Sequence, residues 1–450
     1  MTLHDTTIDA AFSNTFLLCF RMFTTPLDLA NLLWARFDLL KQWTAQKLTP
    51  VRLRIFNLFK TWVESYWQHH PDGEIVDGLL EWCAGRLKAA MPSASTRLAD
   101  LAGKTLVPFS SLTTGSSSSS SSSSSAAIDA YSPSSAAASS APPPVVTKSL
   151  VANLRPALSG RRSLLSSVTE IDALELARQL TIMESRVYCS IRADELLGAG
   201  NGGASSGSAK HVSESMRTPN VRKMSSLSTR LTGWITEVIL GEQDQKRRTG
   251  LLKYFIKLGE RLLHLANYNA LFAVFTALNS STISRLRKTW DGLAPKYRST
   301  FETLRKATDH GRNYAEYRQK VRQAVPPCLP FVGLFLTDLI FVFEGNRAER
   351  PSPADSSLLL INFDRYHKMA RIVGELQRFQ SPYSLVEVPE MQAYLSQELE
   401  GLKRGQDAQS LYRQSLMIEP RQGGPASSSA ASIISSQDSH RPRDIFNWRG

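Results

Sequence analysis

Residues 326–346 read PPCLPFVGLFLTDLIFVFEGN. The prolines at 326, 327 and 330 stop any preceding helix, because proline has no N–H to donate and its ring clashes with the carbonyl one turn back. From Phe331 to Glu344 nothing interrupts a helix, and Gly345-Asn346 is a good terminator. This is the longest apolar run in the chain. Leu329 to Phe343 is nevertheless shorter than the roughly 20 residues a membrane span needs, and it carries Asp338 near its middle. On a helix, Thr337, Ile340, Phe341 and Glu344 recur at three and four, so an apolar shelf and a carboxylate share one face. A second helix is expected from near Leu358 through Phe363, Met369, Ile372, Val373 and Leu376. The polar loop Arg347 to Ser357 joins the two into an antiparallel hairpin. Periodicity alone leaves two readings open: both helices are core, or the first turns its mixed face to a partner.

The helical rhythm continues outward. Between Leu251 and Leu278, residues Leu252, Phe255, Ile256, Leu262, Leu271, Phe272 and Phe275 leave little continuous polar surface, as expected inside a large helical bundle. Ala173, Leu176, Leu180 and Met183 extend the pattern upstream. Near the start of the chain, Thr25-Pro26 opens a helix with Leu29, Leu32, Leu33 and Phe37 on one face. A second helix from Val51 carries Ile55, Leu58, Phe59, Trp62, Val63 and Tyr66, and a third is expected near Ile75 to Leu87. The reading is all-α: a helical module over 1–105 and a large helical region over 166–422. Residues 106–165, with a serine run and Pro142-Pro143-Pro144, cannot bury enough apolar surface to offset chain entropy and read as a disordered linker. A Gly/Ser loop over 198–218 and a tail over 423–450 read the same way.

Several function classes are not supported. Cys19, Cys83, Cys189 and Cys328 make no CxxC pair, so neither a disulfide framework nor a zinc site is suggested, and a reducing compartment fits best. No metal or cofactor is expected, since no two histidines fall at a ligand spacing on one helix face. Ala102-Gly103-Lys104-Thr105 resembles the end of a P-loop but lacks the earlier glycine, where Leu98 stands. GxGxxG at 198–203 opens no helix, and GxSxG at 203–207 has no strand-to-helix elbow to hold its serine. The formal charge of +13 lies mainly on residues 166–405, which carry +8. Clusters such as Lys246-Arg247-Arg248 and Arg285, Arg287, Lys288 suit an anionic membrane face or, more simply, a solvated surface. No nucleic-acid motif accompanies them, and no nucleic-acid partner is expected.

The stretch PPCLPFVGLFLTDLIFVFEGN and the following LLINFDRYHKMARIVGELQRFQSPYSL closely resemble the catalytic domain of Ras-family guanine nucleotide exchange factors. So do ALNSSTISRL (Ala277 to Leu286), NYAEYR (Asn313 to Arg318) and LYRQSLMIEPR (Leu411 to Arg421). FLLCFRMFTTPLDLANLLWARF with VRLRIFNLFKTWVESYW resembles the Ras exchanger motif that precedes that domain, and the resemblance implies a motif truncated at its start. The resemblance implies an exchanger-motif domain and a catalytic bundle with a protruding helical hairpin. It further implies a Ras-family small GTPase as partner, bound most tightly without nucleotide. Ile340 would sit near the GTPase's Mg²⁺ and Glu344 near its phosphate site. Phe272, Asn279, Tyr314 and Phe331 would grip switch II, with Thr337, Asp338 and Asn346 as polar contacts. A cytoplasmic protein recruited to the inner face of membranes is implied, with peripheral membrane contact through its basic surface. The competing class is a non-catalytic helical adaptor that binds a small GTPase or a membrane surface without exchange.

Overall fold

The computed structural model describes residues 1–2, 9–38, 44–105, 141–200, 218–401 and 408–420. Among them the architecture is helical, with one two-stranded antiparallel ribbon, Glu349–Pro351 paired with Leu359–Ile361. No described helix is long and apolar enough to cross a membrane. The chain forms two compact units: Met1–Ser122 with Val342–Arg371, and Ser123–Phe341 with Ile372–Gly450.

In the first unit the amphipathic stripes read from the sequence become the core. Pro26–Asp38 buries Leu29, Leu33 and Phe37 but leaves Leu32, expected on the same face, 67% exposed; Ala45–Ser65 buries Ile55, Phe59 and Trp62, with Phe59 packed on Trp82. The helix expected from Val51 thus begins earlier, with Pro50 inside it. The third helix is compound: a 3-10 turn Gly73–Ile75, the α-helix Val76–Trp82, and a π-turn Cys83–Leu87. Asp72, fully buried, ties these parts together. Its carboxylate accepts from Arg21 Nε at 2.9 Å, from Trp62 Nε1 at 2.9 Å and from the Gln68 amide at 2.9 Å, and it ion-pairs with Arg21 Nη2.

The N-terminal helix Ala10–Cys19 and the turn after it meet residues 363–367. Phe12 packs on Phe363 with centroids 4.6 Å apart, and Phe23 on Tyr366 at 4.9 Å. The start of the helix expected from near Leu358 departs from that reading: Leu359–Ile361 is the second strand of the ribbon, and the helix is Phe363–Gln377. The run Leu358-Leu359-Leu360-Ile361 is exposed, with the β-branched or γ-branched side chains of an extended segment.

The second unit is a bundle centred on Ala173–Cys189, Pro219–Gly241, Gln245–His264 and Tyr268–Asn279. Of the segment 106–165, expected as linker, only residues 141–165 are described, and they include regular structure. Lys148–Leu154 is a helix capped by Thr147 and followed by a 3-10 turn, Arg155–Ser159, because Leu150, Leu154 and Ala157 find apolar partners. Residues 106–140, most of the 198–218 loop and the tail lie outside the described residues; Gly198 to Gly200 end the helix Ala193–Gly200.

Two arginines assigned to basic surface clusters are structural. Arg248, 2% exposed, donates to Thr289 Oγ1 and pairs with Glu419 at 3.7 Å. Arg285 donates to the carbonyls of Ser415 and Glu419. The Glu419 carboxylate also accepts from the Lys288 and Thr289 amides, both at 3.0 Å. These bonds dock the helix Ala408–Ile418.

Candidate functional site

Two helices of the second unit start from one anchored seam. The Leu329 amide donates to the Ala266 carbonyl at 3.0 Å, and the Leu329 carbonyl accepts from the Tyr268 amide at 2.8 Å. Ala266 takes a left-handed φ of 52° to make this turn. Asn267 then caps Tyr268–Asn279 by accepting from the Ala270 amide at 2.9 Å. From the other side of the seam rises Val332–Gly345, the helix expected over 331–344.

An aromatic cluster fills the angle. Phe272 stacks on Phe331 with centroids 4.3 Å apart and planes at 12°, while Tyr317 meets Phe272 edge-on at 5.2 Å. The Phe331 amide donates to the Tyr317 hydroxyl at 2.7 Å, and full burial holds that phenol well above its ordinary pKa. Tyr314 lies 6.0 Å from Phe272 and is half-buried. Phe272 and Phe331, expected as contact residues, are 3% and 1% exposed. They are the floor, and Tyr314 is the ring of this cluster that reaches the surface.

Tyr314 is held there by an unusual backbone. Arg312, Asn313 and Tyr314 have φ of 50°, 56° and 59°, a left-handed turn that costs about 1–2 kcal/mol per non-glycine residue. Arg318 offsets this. Its Nε donates to the Asn313 carbonyl at 2.9 Å, and its two terminal nitrogens donate to Asp338 at 2.7 and 2.9 Å. Asp338 is therefore an internal clamp between the turn and the Val332–Gly345 helix, where a free polar contact was expected. Thr337 donates to the Gly333 carbonyl and is half-buried.

Along Val332–Gly345, Val332, Leu334, Phe335, Leu336 and Leu339 face inward. Ile340 is half-buried, Phe341 is 60% exposed, and Glu344 is exposed. Glu344 has no ion pair among the described residues. Asn346 terminates the helix by donating to the Val342 carbonyl at 2.8 Å, and it accepts from Lys368 at 3.2 Å. Arg365 stacks over Phe343 at 3.9 Å. Asn279 ends its own helix exposed, beside a cleft of about 240 Å³ lined by Trp290, Phe301, Arg298 and Arg305.

Tyr317, Arg318 and Glu184 were not singled out from the sequence. Tyr317 was legible as an aromatic three residues after Tyr314; Glu184 carried no signal beyond a carboxylate inside an apolar run. Glu184 is 2% exposed and accepts from Asn269 Nδ2 at 3.0 Å, steadying the first turn of Tyr268–Asn279. Its Oε2 has no hydrogen-bond partner among the described residues. Burial pushes its pKa up to about 7, against the hydrogen bonds that lower it.

A carboxyl that ionises near pH 4.5 unfolded and near 7 folded binds more protons in the native state between those values. Its ionisation therefore removes stability as pH rises through that window. Wild-type stability is expected to fall by on the order of 2–3 kcal/mol from this group between about pH 5 and about pH 8. Chemical denaturation of Glu184→Gln at both pH values should show that fall reduced by the same amount; an unchanged profile would assign the pH dependence elsewhere.

No group of three or more His, Cys, Asp or Glu side chains among the described residues could hold a metal. The site offers exposed apolar and acidic side chains, Phe341 and Glu344, on a helix that starts beside a buried aromatic cluster.

Known proteins share this arrangement of segments. The chain matches the RasGEF N-terminal motif over residues 1–81 and the RasGEF domain over residues 175–367, together more than half of its length. It is 27% identical to Ras guanine nucleotide exchange factor A of Dictyostelium discoideum, over 93% of this chain and 63% of that protein. It is 29% identical to cell division control protein 25 of Candida albicans, over 98% of this chain and 31% of that protein. With protein son of sevenless of Drosophila melanogaster it shares 32% identity, over 55% of this chain and 15% of that protein. The chain thus spans between about a seventh and two thirds of these relatives. Both matched segments lie in this helical chain, the N-terminal motif before the domain, and the chain belongs to the Ras guanine nucleotide exchange factor family.

Proposed function

We propose that this chain catalyses GDP release from a Ras-type small GTPase by inserting the exposed face of Val332–Gly345 beside the bound nucleotide. The observation that carries the reading is that face itself: Phe341 and Glu344 are exposed and Ile340 is half-buried, with no side-chain hydrogen bond or ion pair from Glu344 among the described residues, on a helix whose other side is buried. An aliphatic side chain near the GTPase's Mg²⁺ supplies none of the oxygen ligands that ion requires. A carboxylate near the phosphates repels them and competes for the cations that hold them. Tyr314, with Phe272 and Phe331 as its floor, and Asn279 supply the grip on switch II, an aromatic anchor with a polar rim. Neither Ile340 nor Glu344 transfers a proton.

By linkage, a protein that binds the nucleotide-free GTPase more tightly weakens nucleotide binding by the same factor. The cellular ratio of GTP to GDP then sets the direction of exchange. Such a protein acts in the cytoplasm, at the membrane face where its GTPase resides.

The reading is tested by mixing the full chain with nucleotide-free and GDP-loaded Ras, Rap and Ral-type GTPases on a sizing column. A complex with the nucleotide-free form that excess GDP or GTP dissolves is expected. A complex indifferent to nucleotide would identify an adaptor. Within the site, Arg318→Ala and Asp338→Ala should each slow exchange several-fold. Their double-mutant cycle should show a coupling of about 1–2 kcal/mol, as for a partly buried bidentate pair; additive effects would mean the clamp does not position the wedge helix.

A further inference from the structure

A second cleft, of about 610 Å³, opens among residues of the bundle that play no part in the proposed exchange site. Arg247, Lys253 and Lys257 of Gln245–His264 line it, together with the hydroxyl residues Ser167 and Thr169 and with Tyr254. One carboxylate lines it, Glu242, which already accepts from the Asp244 amide at 2.9 Å, and the Glu170 carboxylate beside it accepts from the lining Ser166 and Ser167 amides at 2.7 and 3.1 Å. Lys253 and Lys257 are one helical turn apart and lie over the ring of Tyr297, at 5.0 and 6.0 Å from its centroid. Stacking of this kind pre-orders two flexible ammonium groups without neutralising them.

Tyr254 adds an independent observation. It is 7% exposed, and its hydroxyl has no hydrogen-bond partner among the described residues. A buried hydroxyl left unpaired costs about 1–3 kcal/mol, and such groups are generally satisfied by protein, water or ligand. Burial also keeps this phenol protonated, hence a donor. A cleft with one buried donor, three cations and short hydroxyl side chains suits a ligand with several acceptor oxygens and more than one negative charge.

We propose that this cleft binds a phosphorylated polyol, with Lys253, Lys257 and Arg247 on its phosphates and the Tyr254 hydroxyl donating to one of their oxygens. The same chemistry is presented by a free inositol phosphate and by the head group of a phosphoinositide. The test uses the full chain in two arms: calorimetric titration with inositol trisphosphate, and flotation with phosphatidylcholine vesicles with and without phosphatidylinositol bisphosphate.

Saturable binding in either arm that falls at least about tenfold in Lys253→Glu/Lys257→Glu, and measurably in Tyr254→Phe, supports the site. Binding in both arms identifies the soluble compound as sufficient, and binding to vesicles alone identifies the lipid. Lys148→Glu/Lys306→Glu, the same charge change elsewhere on the unit, should leave binding intact. Absence of binding in both arms overturns the proposal, as does an equal loss in the control variant, which would mean diffuse surface charge. Solution exchange rates of Lys253→Glu/Lys257→Glu should match wild type, so the cleft and the exchange site fail or stand separately.

Discussion

The double variant Ile340→Ala, Glu344→Ala is expected to release GDP from the cognate GTPase about a hundredfold more slowly than the wild-type chain, with its thermal unfolding unchanged. On the proposed mechanism each side chain would act on a different part of the nucleotide site, one apolar group beside the metal and one charge beside the phosphates. A loss of about 1.4 kcal/mol of transition-state stabilisation from each multiplies to that factor. Stability should survive because Ile340 is only half-buried, Glu344 is exposed without an ion pair among the described residues, and alanine is the best helix former. Single-turnover release of a fluorescent GDP analogue, run beside a melting curve, checks both halves. Wild-type release would place the wedge elsewhere on the hairpin, with Phe341 the next residue to truncate.

Asp72→Ala should cost about 3–5 kcal/mol, the usual consequence of removing one partner from a buried ion pair. Arg21 would be left with its charge largely buried, and Trp62 Nε1 and the Gln68 amide would lose their acceptor together. The loss should reach function. The helix Ala10–Cys19 and the turn carrying Phe23 pack on Phe363 and Tyr366, which belong to the returning arm of the hairpin. Hydrogen exchange across residues 45–65 and 363–371 of the full chain should rise together in Asp72→Ala, and GDP release should slow. Exchange confined to residues 45–65 would show that the N-terminal module does not brace the returning arm.

Much of this was legible in the sequence because helices announce themselves by period. The stripes of Pro26–Asp38 and Ala45–Ser65, the core run before Leu278 and the proline-bounded helix after 330 all follow from spacing and caps. The ribbon did not, since Leu358-Leu359-Leu360-Ile361 is a short apolar run that periodicity cannot assign to helix or strand. The helix Lys148–Leu154 was hidden by its surroundings, where three buried residues sit next to a serine-rich and proline-rich stretch.

Spacing placed Ile340, Phe341 and Glu344 on one side of their helix, but it could not show that Phe272 and Phe331 are buried or that Asp338 is paired. Those outcomes depend on Tyr317 and Arg318, which the spacing did not single out. The left-handed turn at Arg312 to Tyr314 contains no glycine to betray it.

The most direct measurement is the rate at which Ras, Rap and Ral-type GTPases loaded with a fluorescent GDP analogue release it into excess GTP, with and without the full chain. Acceleration on the order of a hundredfold for at least one of them is expected, saturating with chain concentration. A chain whose helices are intact by circular dichroism, yet which leaves every release rate at its intrinsic value, would contradict the assignment of exchange activity.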